Sequence, residues 1–288
     1  MIMNPKYLIK LMRPQQWIKN FFVFAALLFA GMMFNFDKVV LSIYAFIAFC
    51  LASSAIYIIN DIVDIENDKK HPKKKERPLA SGKVKVKTAL ILLFILLIVS
   101  LVISYSINLS VFYTILSYIF LNILYSKWLK HVVIIDLFIV ASGYVLRVLA
   151  GIFAISSIIT SWFLAATFTL SLMIILAKRR AELVLHGSKK RKVLEYYDLH
   201  FMDLLLVMSS TITLTIYFLW SINNHMGLNE TAILLSSLFV FYGLARYLYL
   251  TIRLNYSESP TKLILKDKPL ILTVLLWCVY MILLIYVI

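Results

Sequence analysis

Acidic side chains with a regular spacing are the strongest chemical signal in this chain, and they occur in the stretch NDIVDIEND. Its Asn60, Asp61, Asp64 and Asp68 carry oxygen atoms, and positions 61, 64 and 68 share one face of a helix because they are three and four residues apart. Three such carboxylates repel one another unless a divalent cation lies among them. Hard oxygen ligands suit Mg²⁺, which also takes oxygens from a substrate phosphate. Spacing alone leaves two interpretations open, a magnesium site or a solvated helix end whose acids offset the lysines at positions 69, 70, 73, 74 and 75.

A second chemical signal is cationic and lies in AKRRAELVLHGSKKRKVLEYYD. Lys178 and Glu182 are four residues apart, which is the spacing of a helical ion pair. Arginine and lysine bind phosphate oxygens by charge-assisted hydrogen bonds, so Lys178 and Arg179 are candidate phosphate ligands. The run Lys189–Lys192 is explained as well by topology, because loops on the cytoplasmic side of membrane proteins are generally basic.

The composition requires these polar stretches to be positioned by membrane helices. Of the 288 residues, 62% are hydrophobic and 15% are charged, whereas a bilayer-spanning helix needs about 20 mostly apolar residues. The two cysteines lie in apolar runs and the five histidines are scattered, so neither a disulfide framework nor a histidine metal site is expected. Walker, dinucleotide-binding and G-x-S-x-G motifs are absent from the sequence, which argues against an ATP-driven pump, a redox enzyme and a serine hydrolase.

Nine apolar runs are long enough to be spans, and the charge between them alternates. The predicted spans are residues 20–34, 39–59, 89–107, 110–126, 132–152, 161–177, 203–221, 230–250 and 269–288. Of the 29 Lys and Arg residues, 26 fall in alternate connecting segments. The positive-inside rule then places the N-terminus in the cytoplasm and the C-terminus outside.

The connecting segments are too short to form a soluble domain. We therefore expect one integral membrane domain over residues 1–288, with its chemistry built from cytoplasmic loops and adjoining span ends. The basic first twenty residues run into an apolar stretch without a small-residue cleavage site, which favours an uncleaved signal anchor. Asp136 and Arg147 lie inside one predicted span and about 16 Å apart along a straight helix, too far to pair. Each is interpreted either as functional or as structural, with Arg147 bracing a helix interface.

The acidic stretch and the residues after it resemble the UbiA superfamily of intramembrane prenyltransferases. The superfamily's motif N-D-x-x-D-x-x-x-D, followed by R-P-x-x-x-G, is matched by the following residues: Asn60, Asp61, Asp64, Asp68, Arg77, Pro78 and Gly82. The resemblance implies an all-α fold with nine transmembrane helices around a central cavity that opens laterally to lipid. It also implies that Mg²⁺ holds a diphosphate-bearing substrate at the three aspartates.

Two further stretches resemble the decaprenyl-phosphate phosphoribosyltransferase branch of that superfamily. Most members carry a second motif, D-x-x-x-D, where this chain has the K-R-x-x-E of residues 178–182, and the opening MRPQQWIKN resembles that branch's R-P-x-Q-W-x-K-N. The branch implies a Mg²⁺-dependent transfer of 5-phosphoribose from phosphoribosyl diphosphate (PRPP) to a polyprenyl phosphate, with release of diphosphate. The product would be a pentose donor for cell-envelope polysaccharide, made at the cytoplasmic face of the inner (plasma) membrane.

The resemblance implies three groups of site residues. Asp61, Asp64 and Asp68 are the expected catalytic metal ligands. The candidates for the donor phosphates are Lys19, Lys178 and Arg179. The candidates for the lipid phosphate are Tyr125, Lys130 and Arg191. The motif residues Asn60, Arg77 and Glu182 are also expected at the substrate.

Two alternatives stay open at this stage. The first is ordinary UbiA chemistry, in which a prenyl diphosphate alkylates an aromatic acceptor; the missing second aspartate motif counts against it. The second is a lipid or small-molecule transporter, which would be expected to show internal repeats or broken helices. A nucleic-acid partner is not expected, and the sequence does not indicate an oligomeric state.

Overall fold

The structure of the chain is a computed structural model, and it describes residues 5–70, 72, 74–158, 160–186, 192–223, 229–253 and 266–287. Every regular element within these ranges is helical. The α-helices are α1 (Pro5–Met12), α2 (Ala25–Phe29), α3 (Phe36–Val63), α4 (Ile65–Lys70), α5 (Val86–Ile107), α6 (Leu109–Lys127), α7 (Ile135–Ile155), α8 (Ser161–His186), α9 (Leu199–Ile222), α10 (Glu230–Leu248) and α11 (Lys268–Tyr286). The 3₁₀ segments are Pro14–Phe24, Lys74–Glu76, Leu129–His131 and Lys192–Tyr196, and α10 continues into one π-helical turn, Tyr249–Arg253.

Eight of the helices in the described ranges are long and apolar enough to cross a membrane. They begin with α3 and include α5 to α11, which confirms the prediction of an all-α polytopic membrane protein. In the stretch 20–34, predicted as the first span, residues 20–24 end the 3₁₀ segment, residues 25–29 form the short α2, and residues 30–34 are not helical. The count of nine spans and the orientation of the termini stay predictions.

The chain divides into two compact units. Unit 1 comprises Met1–Trp128 and Leu146–Ile158, and unit 2 comprises Leu129–Val145 and Ile159–Ile288. The boundary passes through α7, so its first half belongs to unit 2 and its second half to unit 1. The prediction of a single domain over residues 1–288 stays a prediction.

In unit 1, α3 is the central element and packs against α5, α6, α1 and the 3₁₀ segment. Small buried residues recur along α3 at positions 45, 48, 52 and 55, all of them alanine. Small side chains let helices approach closely, which is the usual basis of helix association in lipid. Gly151 of α7 approaches the 3₁₀ segment Pro14–Phe24 so closely that an added Cβ would lie 2.0 Å from the carbonyl oxygen of Val23.

In unit 2, α8 packs against α9, and α10 packs against both α9 and α11. Leu137, Met173, Leu176, Met202 and Leu206 are among the almost fully buried residues of this core. Polar caps set where the helices begin: Asp198, Asn229 and Asp267 each accept a hydrogen bond from a backbone N–H three residues on, which satisfies a donor that the first helical turn leaves unpaired.

Candidate functional site

The acidic residues lie where α3 ends and α4 begins. Asp61 is in the last turn of α3, Asp64 caps that helix, and Asp68 is in α4. The chain turns at Asp64, whose N–H donates to the Asn60 carbonyl at 3.0 Å. Asp61 and Asp68 are both buried, with side chains 2% exposed, whereas Asp64 is half-buried. The predicted extension of the second span is therefore two helices, with Asp64 between them.

A single guanidinium joins the two buried carboxylates. Nη1 of Arg77 lies 3.0 Å from Oδ1 of Asp61 and 2.5 Å from Oδ2 of Asp68. The ammonium of Lys74 lies 3.7 Å from the other oxygen of Asp68. Buried carboxylates need such cations because leaving water is costly for a charge without a partner.

The R-P-x-x-x-G stretch forms the turn that carries Arg77. Ser81 N–H donates to the Arg77 carbonyl, and Val84 N–H donates to the Pro78 carbonyl. Gly82 has a φ of 70° and nothing within 4 Å of an added Cβ. The glycine is needed for its left-handed backbone conformation, which other residues adopt only with strain, and not for lack of space.

Arg13 is a second arginine on the same carboxylate, and sequence reasoning did not identify it as a site residue. Its guanidinium forms an ion pair with Asp61 and lies over the ring of Tyr57, 5.0 Å from its centroid. Its backbone is left-handed, with a φ of 54°. A signal was present in the sequence, because Arg13-Pro14 and Arg77-Pro78 are its two Arg-Pro dipeptides, and both deliver a guanidinium to Asp61.

The 3₁₀ segment that follows Arg13 is hydrogen-bonded along α3. The indole N–H of Trp17 donates to Ser54 Oγ at 3.0 Å, and the amide nitrogen of Asn20 donates to Ser53 Oγ at 3.3 Å and to Cys50 Sγ at 3.2 Å. Lys19, predicted to bind a donor phosphate, is half-buried on this segment. The R-P-x-Q-W-x-K-N stretch is thus held against the helix that carries the acidic residues.

Asn60 ties the end of α3 to the end of α6. Its side-chain oxygen accepts a hydrogen bond from the hydroxyl of Ser126. The neighbouring Tyr125, predicted to bind the lipid phosphate, is half-buried. Asn60 and Tyr125 both lie in unit 1, as the three aspartates do.

The donor set fits Mg²⁺ in chemistry, because carboxylate and amide oxygens are the hard ligands that this ion takes. Within the described ranges, however, no group of three or more His, Cys, Asp and Glu side chains is placed to hold a metal. The buried pair of carboxylates faces the guanidinium of Arg77 instead. Glu66 fits the alternative interpretation, a solvated helix end, because it is exposed and accepts a hydrogen bond from Lys69 at 2.7 Å. This hydrogen bond lowers the pKa of Glu66.

Arg179 and Glu182 of the predicted K-R-x-x-E motif form a buried charge cluster with Asp136 in unit 2. Nε of Arg179 lies 3.4 Å from Oδ2 of Asp136, and its Nη1 donates to Oε2 of Glu182 at 3.2 Å. Asp136, Arg179 and Glu182 are all buried, whereas Lys178 is exposed. Asp136 thus pairs with an arginine, which is the structural interpretation of this intramembrane acid.

Tyr197 completes this cluster. Its hydroxyl donates to Oδ1 of Asp136 at 3.2 Å and accepts the backbone N–H of Ile134 at 2.6 Å. Ile134 has a φ of 67°, which is rare for a β-branched residue. The pKa of Tyr197 is raised to about 12, mainly by burial and also by the neighbouring Asp136, while the hydrogen bond from Ile134 opposes the shift. The tyrosine therefore stays neutral at physiological pH.

Arg180 of α8 also has protein partners. Nε of Arg180 lies 2.5 Å from Oδ1 of Asp203, and its Nη1 donates to the Thr251 carbonyl at 3.0 Å. Lys130, predicted to bind the lipid phosphate, is half-buried in the turn Leu129–His131. The predicted ligand Arg191 lies outside the described residues.

Comparison with known proteins gives one consistent relationship. The chain is 34% identical to the decaprenyl-phosphate phosphoribosyltransferase of Mycolicibacterium smegmatis over 94% of this chain and 89% of that protein. It is 32% identical to the protein of the same name from Corynebacterium glutamicum, over 97% of this chain and 87% of that protein.

The fold has solved counterparts. A UbiA homolog from Archaeoglobus fulgidus, bound to GPP and Mg²⁺, superposes with a TM-score of 0.74 over 97% of this chain and 99% of that one, at 20% identity. Residues 20–266 match the model of the UbiA prenyltransferase family. Since this match spans most of the chain and agrees with both the relatives and the fold, the chain belongs to the UbiA prenyltransferase family.

Proposed function

We propose that this membrane transferase moves 5-phosphoribose from PRPP to a polyprenyl phosphate and releases diphosphate. The observation that carries the proposal is the cluster at the end of α3, where two buried aspartates meet two arginines. Such a cluster can bind a metal through its carboxylates and phosphate oxygens through its guanidinium groups. The relatives, which are decaprenyl-phosphate phosphoribosyltransferases, support the same donor group and lipid class.

The residues that would hold Mg²⁺ are Asp61, Asp64 and Asp68. When bound there, the ion neutralises negative charge on the departing diphosphate. Arg13 and Arg77 already lie within contact distance of Asp61, so each can donate to an oxygen of a diphosphate held beside it. Planar guanidinium groups suit this task because they bind phosphate oxygens in pairs.

The reaction breaks the anomeric C–O bond of the donor, and diphosphate leaves with the bonding electrons. A phosphate oxygen of the lipid forms the new bond to the same carbon. That oxygen is already an anion at neutral pH, so catalysis requires positioning and charge neutralisation and not a strong general base. We assign Lys19, Lys178 and Arg179 to donor phosphates, and Tyr125, Lys130 and Arg191 to the lipid phosphate.

The burial of Arg179 refines its assignment. With Asp136 and Glu182 both beside it, much of its charge is neutralised by protein carboxylates, whereas Lys178 is exposed. We infer that Lys178 makes the stronger phosphate contact and that Arg179 orders the end of α8. We also propose that the reaction occurs at the cytoplasmic face of the inner membrane, since the acidic cluster adjoins the lysine-rich segment that the positive-inside rule places there.

A prenyl transfer to an aromatic acceptor is the second candidate. It is favoured by the structural neighbours from Archaeoglobus fulgidus, which are bound to GPP or DMAPP with Mg²⁺. It is disfavoured by the replacement of the second aspartate motif with Lys178, Arg179 and Glu182. A transporter is the third candidate, and its expected signs, inverted repeats and broken helices at mid-membrane, have no support in the sequence.

One assay separates the three candidates. Purified protein in nanodiscs is given labelled PRPP, polyprenyl phosphate and Mg²⁺, and lipid-linked ribose phosphate is the expected product. Turnover only with prenyl diphosphate and an aromatic acceptor would favour the second candidate, and movement of substrate across vesicles without turnover would favour the third.

Two variants test the metal assignment within that assay. Asp64→Asn is expected to abolish turnover while the protein stays folded, because it removes a charge from the metal ligands. Asp37→Asn is the matched control, since Asp37 is exposed in the first turn of the same helix, about 40 Å away along its axis. Near-normal turnover of Asp64→Asn would contradict the assignment.

A further inference from the structure

Arg147 is an arginine buried inside a predicted span, and it has a specific set of partners. Its side chain is in the second half of α7 and only 5% of the residue is exposed. Nε donates to the side-chain oxygen of Asn20 at 2.7 Å, and Nη2 donates to the hydroxyl of Tyr118 at 3.2 Å. The guanidinium also lies 4.9 Å from the centroid of the Tyr118 ring. A charge at this depth is expensive and indicates a role for its contacts.

Asn20 connects this arginine to α3. It is fully buried, and its amide nitrogen contacts Ser53 and Cys50 while its oxygen accepts from Arg147. Asn20 therefore bonds to α3 through its amide nitrogen and to α7 through its side-chain oxygen. A change at residue 147 would leave the Asn20 oxygen without this donor inside an apolar environment.

A second contact fixes the same segment one turn farther along α7. Gly151 approaches the Val23 carbonyl so closely that an added Cβ would lie 2.0 Å from its oxygen. Arg147 and Gly151 share a helix face because they are four residues apart. Asn20 and Val23 share a face of the 3₁₀ segment because they are three residues apart. Helix α7 thus holds the segment at two neighbouring points.

The other end of this segment carries Arg13, which is paired with Asp61. Seven residues of 3₁₀ helix separate Arg13 from Asn20, or about 14 Å at 2.0 Å per residue. Trp17 contacts Ser54 between them. A shift of the segment along α3 at Asn20 would therefore move Trp17 and Arg13 as well.

We propose that Arg147, together with Gly151, is a positioning residue that fixes the register of residues 13–24 on α3 and so places Arg13 against Asp61. The kinetic part of this inference rests on the proposed function, because it requires Arg13 to contact the donor. The register itself can be measured without turnover.

Fluorine NMR tests the register directly. The protein is labelled with 5-fluorotryptophan, and the Trp17 signal, assigned with Trp17→Phe, reports its contact with Ser54. Arg147→Met and Gly151→Ala are each expected to shift or broaden that signal, while Arg147→Lys, which keeps the charge, restores most of the native spectrum. The matched control is Gly243→Ala in α10, where an added Cβ meets only a methyl carbon of Thr273 at 3.9 Å.

A double-mutant cycle tests the link to Arg13. Arg147→Met is expected to raise KM for PRPP about 3- to 10-fold and to leave KM for polyprenyl phosphate nearly unchanged. In the Arg13→Ala background the same change should add less than about twofold, because the group it misplaces is gone. Arg147→Lys and Gly151→Ala keep the cycle measurable should Arg147→Met not fold.

The outcomes separate this inference from the proposed function. An unmoved Trp17 signal in Arg147→Met and Gly151→Ala, or additive effects on KM in the cycle, would overturn the inference even with normal PRPP chemistry. The expected Trp17 shifts without PRPP turnover in any variant, the native protein included, would support the register and overturn the proposed function.

Discussion

Replacing Arg77 with methionine should make the stability of unit 1 depend on magnesium. The native guanidinium lies between Asp61 and Asp68, whose side chains are both 2% exposed. Methionine keeps much of the aliphatic volume but removes the positive charge. The two buried carboxylates then have less positive charge beside them, and a divalent cation can take the place of the lost guanidinium.

The magnitude follows from the surroundings of Arg77. Removing one partner of a fully buried ion pair costs about 3–5 kcal/mol. Arg77 is 27% exposed, and Arg13 and Lys74 remain beside the carboxylates, so we expect about 2 kcal/mol without metal. A loss of that size lowers the unfolding midpoint by about 3 °C for a chain of 288 residues.

Thermal unfolding in detergent, with EDTA or with graded Mg²⁺, measures this effect. A ligand that binds only the native state stabilises that state by about 2.7 kcal/mol when the ligand concentration is 100 times Kd. Saturating Mg²⁺ should therefore restore most of the lost stability. The midpoint should rise more in the variant than in the native protein, where Arg77 competes for the same oxygens.

Arg246→Met is the control for this experiment. Arg246 is 29% exposed and pairs with one carboxylate, Asp267, at 2.8 Å. A pair this accessible to solvent contributes little to stability, and its loss should not respond to magnesium. Equal stabilisation of the native protein and of Arg77→Met by Mg²⁺, or no destabilisation in EDTA, would refute the assignment of these carboxylates to a cation site.

Three further predictions concern the supports of the two charge clusters. Ser126→Ala removes the hydrogen bond to Asn60 and should cost about 1 kcal/mol of stability in thermal unfolding, with reduced turnover; unchanged turnover would place this bond outside catalysis. Gly82→Ala should cost about 1–2 kcal/mol through its left-handed backbone and raise KM for the donor, whereas Gly82→Asn should cost less. Because the pKa of Tyr197 is raised in the folded protein to about 12, its contribution to stability is fully present below about pH 10 and is lost as the pH rises through 12. Unfolding midpoints measured from pH 9 to 12 should therefore fall less steeply for Tyr197→Phe, and parallel curves would contradict the shift.

The helices and the acidic cluster could be predicted from the sequence because both are local properties. An apolar run of span length predicts a helix wherever it occurs, and α5 to α11 follow those runs, although α8 continues nine residues beyond the predicted end at residue 177. Arg77, a motif residue expected at the substrate, contacts Asp61 and Asp68, which are only 16 and 9 residues away along the chain. What the spacing missed was the turn at Asp64, since hydrogen-bonding competition at a helix end does not appear in a periodicity.

Contacts between distant parts of the chain could not be predicted in this way. Arg13 meets Asp61 across 48 residues, and Arg147 meets Asn20 across 127. No local pattern reports such separations. Residues 20–34 are a related case: their hydropathy is that of a span, but residues 20–24 belong to a 3₁₀ segment in which the side chain of Asn20 bonds to α3.

The paired faces of α3 and the 3₁₀ segment explain why the site forms where it does. Positions 50, 54, 57 and 61 lie on one face of α3. Asn20 contacts Cys50, Trp17 contacts Ser54, and Arg13 contacts both Tyr57 and Asp61. Polar groups inside a bilayer must satisfy one another, so the amide, hydroxyl and indole contacts fix one register, and the ion pair at the end of the row follows from it. A second Arg-Pro turn then brings Arg77 to the same carboxylate from the other side. Two guanidinium groups from distant segments thus converge on Asp61, an acid of the predicted metal motif, and compensate its charge. Under the proposed function, the same guanidinium groups would bind phosphate oxygens when the carboxylates hold Mg²⁺.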